Sequence, residues 1–199
     1  MTSAALIVFA AYLLGSVSFA VVVSKVFRLP DPHEYGSGNP GATNVLRTGN
    51  KAAALLTLVG DGIKGWLAVF LAEMARNSLG APEWVVPGAA LAVFLGHLYP
   101  VFHHFNGGKG VSTAAGIVYA LHWQLGLALM VVWLAMAVGF RISSLAALTA
   151  AVLMPLGGFY AFGNSPRAWA LVVIGALLFW RHRANIRQLM AGKEKPIGH

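Results

Sequence analysis

Trp123-Gln-Leu-Gly-Leu-Ala-Leu-Met-Val-Val-Trp-Leu-Ala-Met-Ala-Val-Gly-Phe140 carries no charged side chain from end to end. At ~1.5 Å rise per residue, a helix of that length covers roughly 27 Å, close to the ~30 Å hydrocarbon core of a bilayer. It is one of seven apolar segments. The others run Ala4–Val23, Ala52–Ala75, Trp84–Phe102, Val111–Leu121, Ile142–Phe162 and Ala168–Trp180, divided by charged or Gly/Pro-rich breaks. The expected fold is an all-α integral membrane protein, a single domain over 1–199 with seven transmembrane helices. Five is the fallback count. The fourth and seventh segments are short and are expected to tilt into their flanks, or, for the fourth, to be re-entrant.

Composition agrees. Of the 199 residues 58% are hydrophobic and 10% charged, with mean hydropathy +0.70. Soluble domains carry about 25% charged residues, and one of this length could not hide so much apolar surface. There is no cysteine, which removes disulfides, thiol catalysis and thiolate metal sites. Met1-Thr2-Ser3 lacks a basic leader, so the first apolar segment is read as a retained span.

The net charge of +8 has three readings: orientation by cytoplasmic Lys and Arg, attraction to anionic lipid, or attraction to an anionic substrate. With the N-terminus outside, eleven of the fourteen basic residues fall inside: Lys25, Arg28, Arg47, Lys51, Lys109, Arg141, Arg181, Arg183, Arg187, Lys193 and Lys195. Arg76 and Arg167 fall outside, and Lys64 lies within the second span. The C-terminus is then cytoplasmic. Nucleic acid is not expected as a partner, because the basic residues sit at the ends of apolar segments rather than on a soluble face.

The outer connections are brief, and the inner ones hold the unusual chemistry. The first inner segment contains Gly36-Ser-Gly-Asn-Pro-Gly-Ala-Thr-Asn44 and then Arg47. Its glycines match G-x-G-x-x-G, yet a membrane helix precedes it where a dinucleotide fold needs a strand. Backbone N–H groups freed by glycine can still cradle an anion, with Ser37, Thr43 and Asn44 adding hydrogen bonds and Arg47 a bidentate partner. The plainer reading is a turn with Thr43 or Asn44 capping the second helix. The second inner segment holds Gly96-His-Leu-Tyr-Pro100 and Gly107-Gly-Lys-Gly110 just before a helix, an arrangement suited to phosphate. It is not a Walker A loop, since Gly110 stands where Ser or Thr must follow the lysine. A single positive-inside lysine is the bland account of Lys109.

No metal is expected at His97, His103 and His104, which lack nearby carboxylates. His182 and Asn185 fall near one face if the last helix continues, whereas Arg181 and Arg183 read as a basic tail meeting lipid headgroups. Asp61 and Lys64, three apart inside a span, are read as a scaffold pair. With six acidic residues and no clustered pair, metal-dependent phosphotransfer is disfavoured.

Taken together, Gly36–Asn44 with Arg47, Gly96–Pro100 with Gly107–Gly110, and His182-Arg-Ala-Asn-Ile186 resemble the PlsY family, the integral-membrane acyl-phosphate:glycerol-3-phosphate acyltransferases of bacteria. Gly60-Asp-Gly-Ile-Lys-Gly65 is similar too, and the likeness covers essentially the whole chain. It implies transfer of a fatty acyl group from acyl phosphate to the sn-1 hydroxyl of glycerol 3-phosphate, giving lysophosphatidate and phosphate, at the cytoplasmic face of the inner membrane and without a cofactor. Ser37, Gly38, Gly41 and Thr43, with Ser143 or Ser144, are expected around the acyl phosphate. Arg47, Lys109, His182 and Asn185 are expected at the glycerol 3-phosphate, and Asn39, Ala42, Asn44, Gly107, Gly108, Gly110 and Thr113 are expected to bind substrate as well. Lys109 and Arg47 are the expected catalytic pair, and His97 is the candidate base against a mechanism in which the leaving phosphate takes the proton. A monomer in contact with membrane lipid is expected. The rival class is a small transporter of an organic phosphate or other anion, against which the plain outer loops and the lack of an internal repeat both argue.

Overall fold

A computed structural model describes residues 2–197. Among them there is no strand, and ten α-helices follow one another: α1 (Thr2–Ser16), α2 (Phe19–Val26), α3 (Ala42–Leu46), α4 (Lys51–Leu79), α5 (Val85–Leu98), α6 (Val111–Leu121), α7 (Trp123–Phe140), α8 (Ser143–Phe162), α9 (Pro166–Arg181) and α10 (Arg183–Met190). Four helical stretches are long and apolar enough to cross a bilayer: α4, α5 with its extension to His103, α7 and α8. The first apolar segment is a bent pair, α1 and α2 meeting at 44°, which makes five. Helix α6 is apolar but only 11 residues long, and α9 has 16.

The bend has a local cause. Ser18 leaves the helical region and caps α2, its hydroxyl accepting from the Val21 N–H at 3.5 Å. The carbonyl of Val17, released from the helix ladder at the break, accepts from the Lys64 ammonium at 2.7 Å. Lys64 also pairs with Asp61 at 2.8 Å, both side chains almost fully buried. The expected scaffold pair is therefore present, and it braces the kink of the neighbouring segment.

In a bilayer helices gain little from apolar burial against each other, so close approach through small residues holds them. A Cβ on Gly116 of α6 would strike the Gly62 backbone of α4, and one on Gly65 would strike the Thr113 carbonyl. Gly15 of α1 and Gly96 of α5 meet the opposite backbone in the same manner. The core is correspondingly rich in alanine and valine around Phe94, Ile117 and Ile174, while α7 turns most of its length outward. At one end of the bundle Glu73, Arg76, Glu83 and Arg167 form a closed set of ion pairs at 2.9–3.1 Å, joining α4, the α4–α5 connection and α9. The opposite end carries the glycine-rich loops.

Candidate active site

The cap expected at Thr43 or Asn44 is elsewhere: Gly41 begins α3, and Asn50 caps α4 by accepting from the Ala53 N–H at 2.9 Å. That leaves Asn44 for another task. Buried in the loop, it donates to the Pro32 and Tyr35 carbonyls at 2.9 and 3.2 Å. Its Oδ1 accepts from the Ser37 N–H at 2.9 Å, the Ser37 hydroxyl at 3.2 Å and Arg47 at 3.3 Å. One amide thus holds the turn in shape and aims both Ser37 and Arg47. Gly36 lies at φ +60°, where a Cβ would also strike that amide, so the position requires glycine twice over.

The Gly107–Gly110 loop is fixed from two sides. Arg181 donates to the carbonyls of Gly107 and Gly108 at 2.6 and 3.1 Å and lies over the Tyr99 ring. It clamps the loop, which corrects its reading as a headgroup contact; Arg183 stays exposed beside Trp180. From the interior, the His97 carbonyl accepts from the Gly108 N–H at 3.1 Å, and its ring fills the space a Cβ on Gly108 would need. Thr113 spends its proton on the Asp61 carbonyl at 3.0 Å, so its oxygen can only accept from His97 Nδ1, 3.2 Å away. His97 Nε2 then keeps a lone pair.

These loops meet α7–α8 and α9–α10 around a polar cavity of about 140 Å³. Of the residues singled out from sequence, Ser37, Asn39, Gly41, Ala42, Thr43, Asn44, Arg47, His97, Lys109, Gly110, Ser143, Ser144, His182 and Asn185 line it. Gly38, Gly107, Gly108 and Thr113 do not: Gly38 makes a turn at φ +65°, and the other three form the supporting layer just described. Thr43 and Ser143, from different ends of the chain, share a hydrogen bond at 3.2 Å.

The charges are interlocked. Lys109 Nζ donates to Asn185 Oδ1 at 2.5 Å, and Asn185 Nδ2 donates to Glu194 at 2.6 Å. The same carboxylate oxygen accepts from the Ser144 hydroxyl at 2.5 Å. Burial pushes the Lys109 ammonium below the usual lysine range; Arg181 and Arg47 push the same way, and Glu194 opposes them. Burial, then the Lys109 charge, draws His182 down to about 4. At neutral pH His182 is uncharged. Because a carbonyl can only accept, Nδ1 donates to Leu178 at 2.8 Å, and Nε2 is left as an acceptor suited to a hydroxyl.

Sequence reasoning missed the last wall of this cavity. Residues Glu194, Lys195, Pro196 and Ile197 return over it, tied by the Ile197 N–H to the Arg141 carbonyl at 2.7 Å. Glu194 is one of six acidic residues in the chain, the only available hint. Leu58, Asp61, Ser112 and Trp133 also line it. Beside it lies an apolar groove of about 470 Å³ among α4, α6, α7 and α8, from Leu58 and Val111 down to Trp66 and Tyr119.

The model of the glycerol-3-phosphate acyltransferase family matches residues 5–192. A glycerol-3-phosphate acyltransferase of Burkholderia ambifaria is 60% identical over 190 residues, covering 94% of this chain and 88% of that protein. One from Burkholderia cenocepacia is 59% identical over 191 residues, with the same coverage. Two crystal structures of PlsY (YgiH), described as an integral membrane glycerol 3-phosphate acyltransferase in its glycerol 3-phosphate and lysophosphatidic acid forms, superpose with TM-scores of 0.90 and 0.88. Each is 41% identical, covering 98% of this chain and 95% of its own. A cavity lined by Arg47 and Lys109 and opening on an apolar groove, in a membrane fold shared almost end to end with these proteins, places this chain in the glycerol-3-phosphate acyltransferase family, the PlsY acyltransferases.

Proposed function

We propose that this protein transfers a fatty acyl group from acyl phosphate to the sn-1 hydroxyl of glycerol 3-phosphate, releasing lysophosphatidate and inorganic phosphate. The observation that carries the reading is the continuity of the two cavities. The polar one, bearing Arg47, Lys109, His182 and Asn185, shares Leu58, Val111, Ser112 and Trp133 with the apolar one. A molecule with a phosphate at one end and a hydrocarbon chain at the other fits across that boundary. The related structures carry matching names, a glycerol 3-phosphate form and a lysophosphatidic acid form.

Arg47, Lys109 and Asn185 hold the phosphate of glycerol 3-phosphate, and neutral His182 accepts from a glycerol hydroxyl. Ser37, Asn39, Gly41, Ala42 and Thr43, with Ser143 and Ser144, receive the acyl phosphate, and its chain enters the groove sideways from the lipid. The mixed anhydride already has a good leaving group, so positioning and charge stabilisation supply the acceleration. The departing phosphate takes the hydroxyl proton. Counting the bent pair as one crossing, α4 to α9 make seven, with the N-terminus outside and the site at the cytoplasmic face of the inner membrane; the positive-inside count supports this orientation.

The test is phosphate release by purified protein given palmitoyl phosphate and glycerol 3-phosphate without added metal. Release that requires glycerol 3-phosphate and disappears in Lys109→Ala is expected. A folded protein that releases none overturns the proposal and turns attention to anion flux in proteoliposomes. Near-complete loss of kcat in His97→Gln with KM intact would instead make His97 the base.

A further inference from the structure

The boundary between the two cavities holds a group with no assigned task. Four residues line both: Leu58, Val111, Ser112 and Trp133. If phosphate lies on one side and hydrocarbon on the other, the carbonyl carbon between them sits at this boundary. Leu58 and Val111 offer no side-chain donor. Ser112 spends its proton on the Leu58 carbonyl at 2.5 Å. That leaves the Trp133 indole N–H, which is buried and has no hydrogen-bond partner among the described residues. An unpaired buried donor costs roughly 1–3 kcal/mol, so its presence in a native structure calls for an explanation. Lipid-facing α7 could carry a phenylalanine there at no such cost.

We propose that Trp133 donates a hydrogen bond from Nε1 to the acyl carbonyl oxygen during transfer, and is thereby a catalytic residue; the proposal rests on the acyl-transfer reading above. The glycerol hydroxyl oxygen bonds to the carbonyl carbon, and the carbonyl π pair moves onto oxygen. When that pair returns, the bond from carbon to the bridging phosphate oxygen breaks, and phosphate departs with its electrons and takes the hydroxyl proton. Trp133 gives up no proton. It stabilises the charge that builds on the carbonyl oxygen in a site of low dielectric, where a preorganised donor counts for more than in water.

Trp133→Phe keeps an aromatic ring against the groove and removes the N–H together with the rest of the five-membered ring. Its kcat with palmitoyl phosphate is expected to fall about 10- to 100-fold, at or below the effect of losing one oxyanion-hole donor. The KM for glycerol 3-phosphate should stay at its wild-type value, and the unfolding midpoint should not fall, since the variant no longer buries an unpaired donor. A kcat within about threefold of wild type overturns the proposal.

A second measurement stands apart from turnover. In protein labelled with 15N-tryptophan, the indole signal of Trp133 is assigned by its loss in the variant. Its proton should move downfield on adding a β-ketoalkylphosphonate, a non-reacting analogue of the acyl phosphate. The alkylphosphonate without the ketone should leave it in place. No movement, or equal movement with both, also overturns the proposal. Failure of the wild type to release phosphate at all would instead strike the acyl-transfer reading on which this one rests.

Discussion

Replacing Lys64 by methionine probes the reasoning about the buried charges most directly. Lys64 and Asp61 are 1% and 4% exposed at the side chain and 2.8 Å apart. Removing one partner of such a pair costs about 3–5 kcal/mol, and here, among the described residues, it leaves the Asp61 carboxylate with only His97 Nδ1, 3.6 Å away. Lys64 also satisfies the Val17 carbonyl at the α1–α2 break, and an orphaned buried carbonyl adds about 1–3 kcal/mol. Lys64→Met should therefore lose roughly 4–8 kcal/mol. For a chain of this size that lowers the unfolding midpoint by more than about 10 °C on the scale of soluble proteins. The double variant Lys64→Met, Asp61→Leu removes that carboxylate and should retain only the carbonyl cost, about 1–3 kcal/mol. Reversible unfolding in mixed detergent, followed by circular dichroism, measures all the variants. A single variant losing less than about 1 kcal/mol, or a double variant no better than Lys64→Met, would refute the account.

The other predictions concern the site. His182 binds its proton near 4 when folded and near the ordinary 6.5 when unfolded. The unfolded chain therefore gains protons first as pH falls, so stability present above pH 6.5 is lost between 6.5 and 4, to a total of roughly 3 kcal/mol. His182→Gln should flatten that part of the stability profile measured by unfolding at stepped pH. Lys109→Met should cut kcat/KM by about 100-fold or more, the scale of losing a charge-assisted contact to the reacting groups, read by phosphate release. Lys109→Arg should recover little, because a planar fork cannot replace a point donor 2.5 Å from Asn185. Ala150 lines the apolar groove, so Ala150→Phe should shift donor preference toward shorter chains, measured as kcat/KM across a series of acyl phosphates.

Much of this was legible one segment at a time. An apolar run of bilayer length reports a helix whatever surrounds it, because the backbone must satisfy itself in lipid. The glycine-rich loops showed themselves by residue type and spacing, and their charges by sign. What local pattern could not tell was which polar groups face the cavity and which hold others in place. Asn44, Thr113 and Arg181 all carry donors suited to a substrate, yet the fold turns their bonds to the Ser37 turn, to Asp61 and His97, and to the Gly107 and Gly108 carbonyls.

The sequence by itself determined that the chain is a helical membrane protein with its basic, glycine-rich segments gathered in a few loops. Hydropathy, charge sign and glycine spacing are properties of neighbouring residues, so they survive without coordinates. The tertiary structure alone decided the cavity. Lys109 meets Asn185 across 76 residues and Thr43 meets Ser143 across 100. The Glu194 wall forms because the Ile197 backbone ties back to Arg141. Trp133 reads as one more lipid-facing aromatic until α4, α6, α7 and α8 close the groove around it. Such pairings come from the angles and contacts of packed helices, and no periodicity within a single segment encodes them.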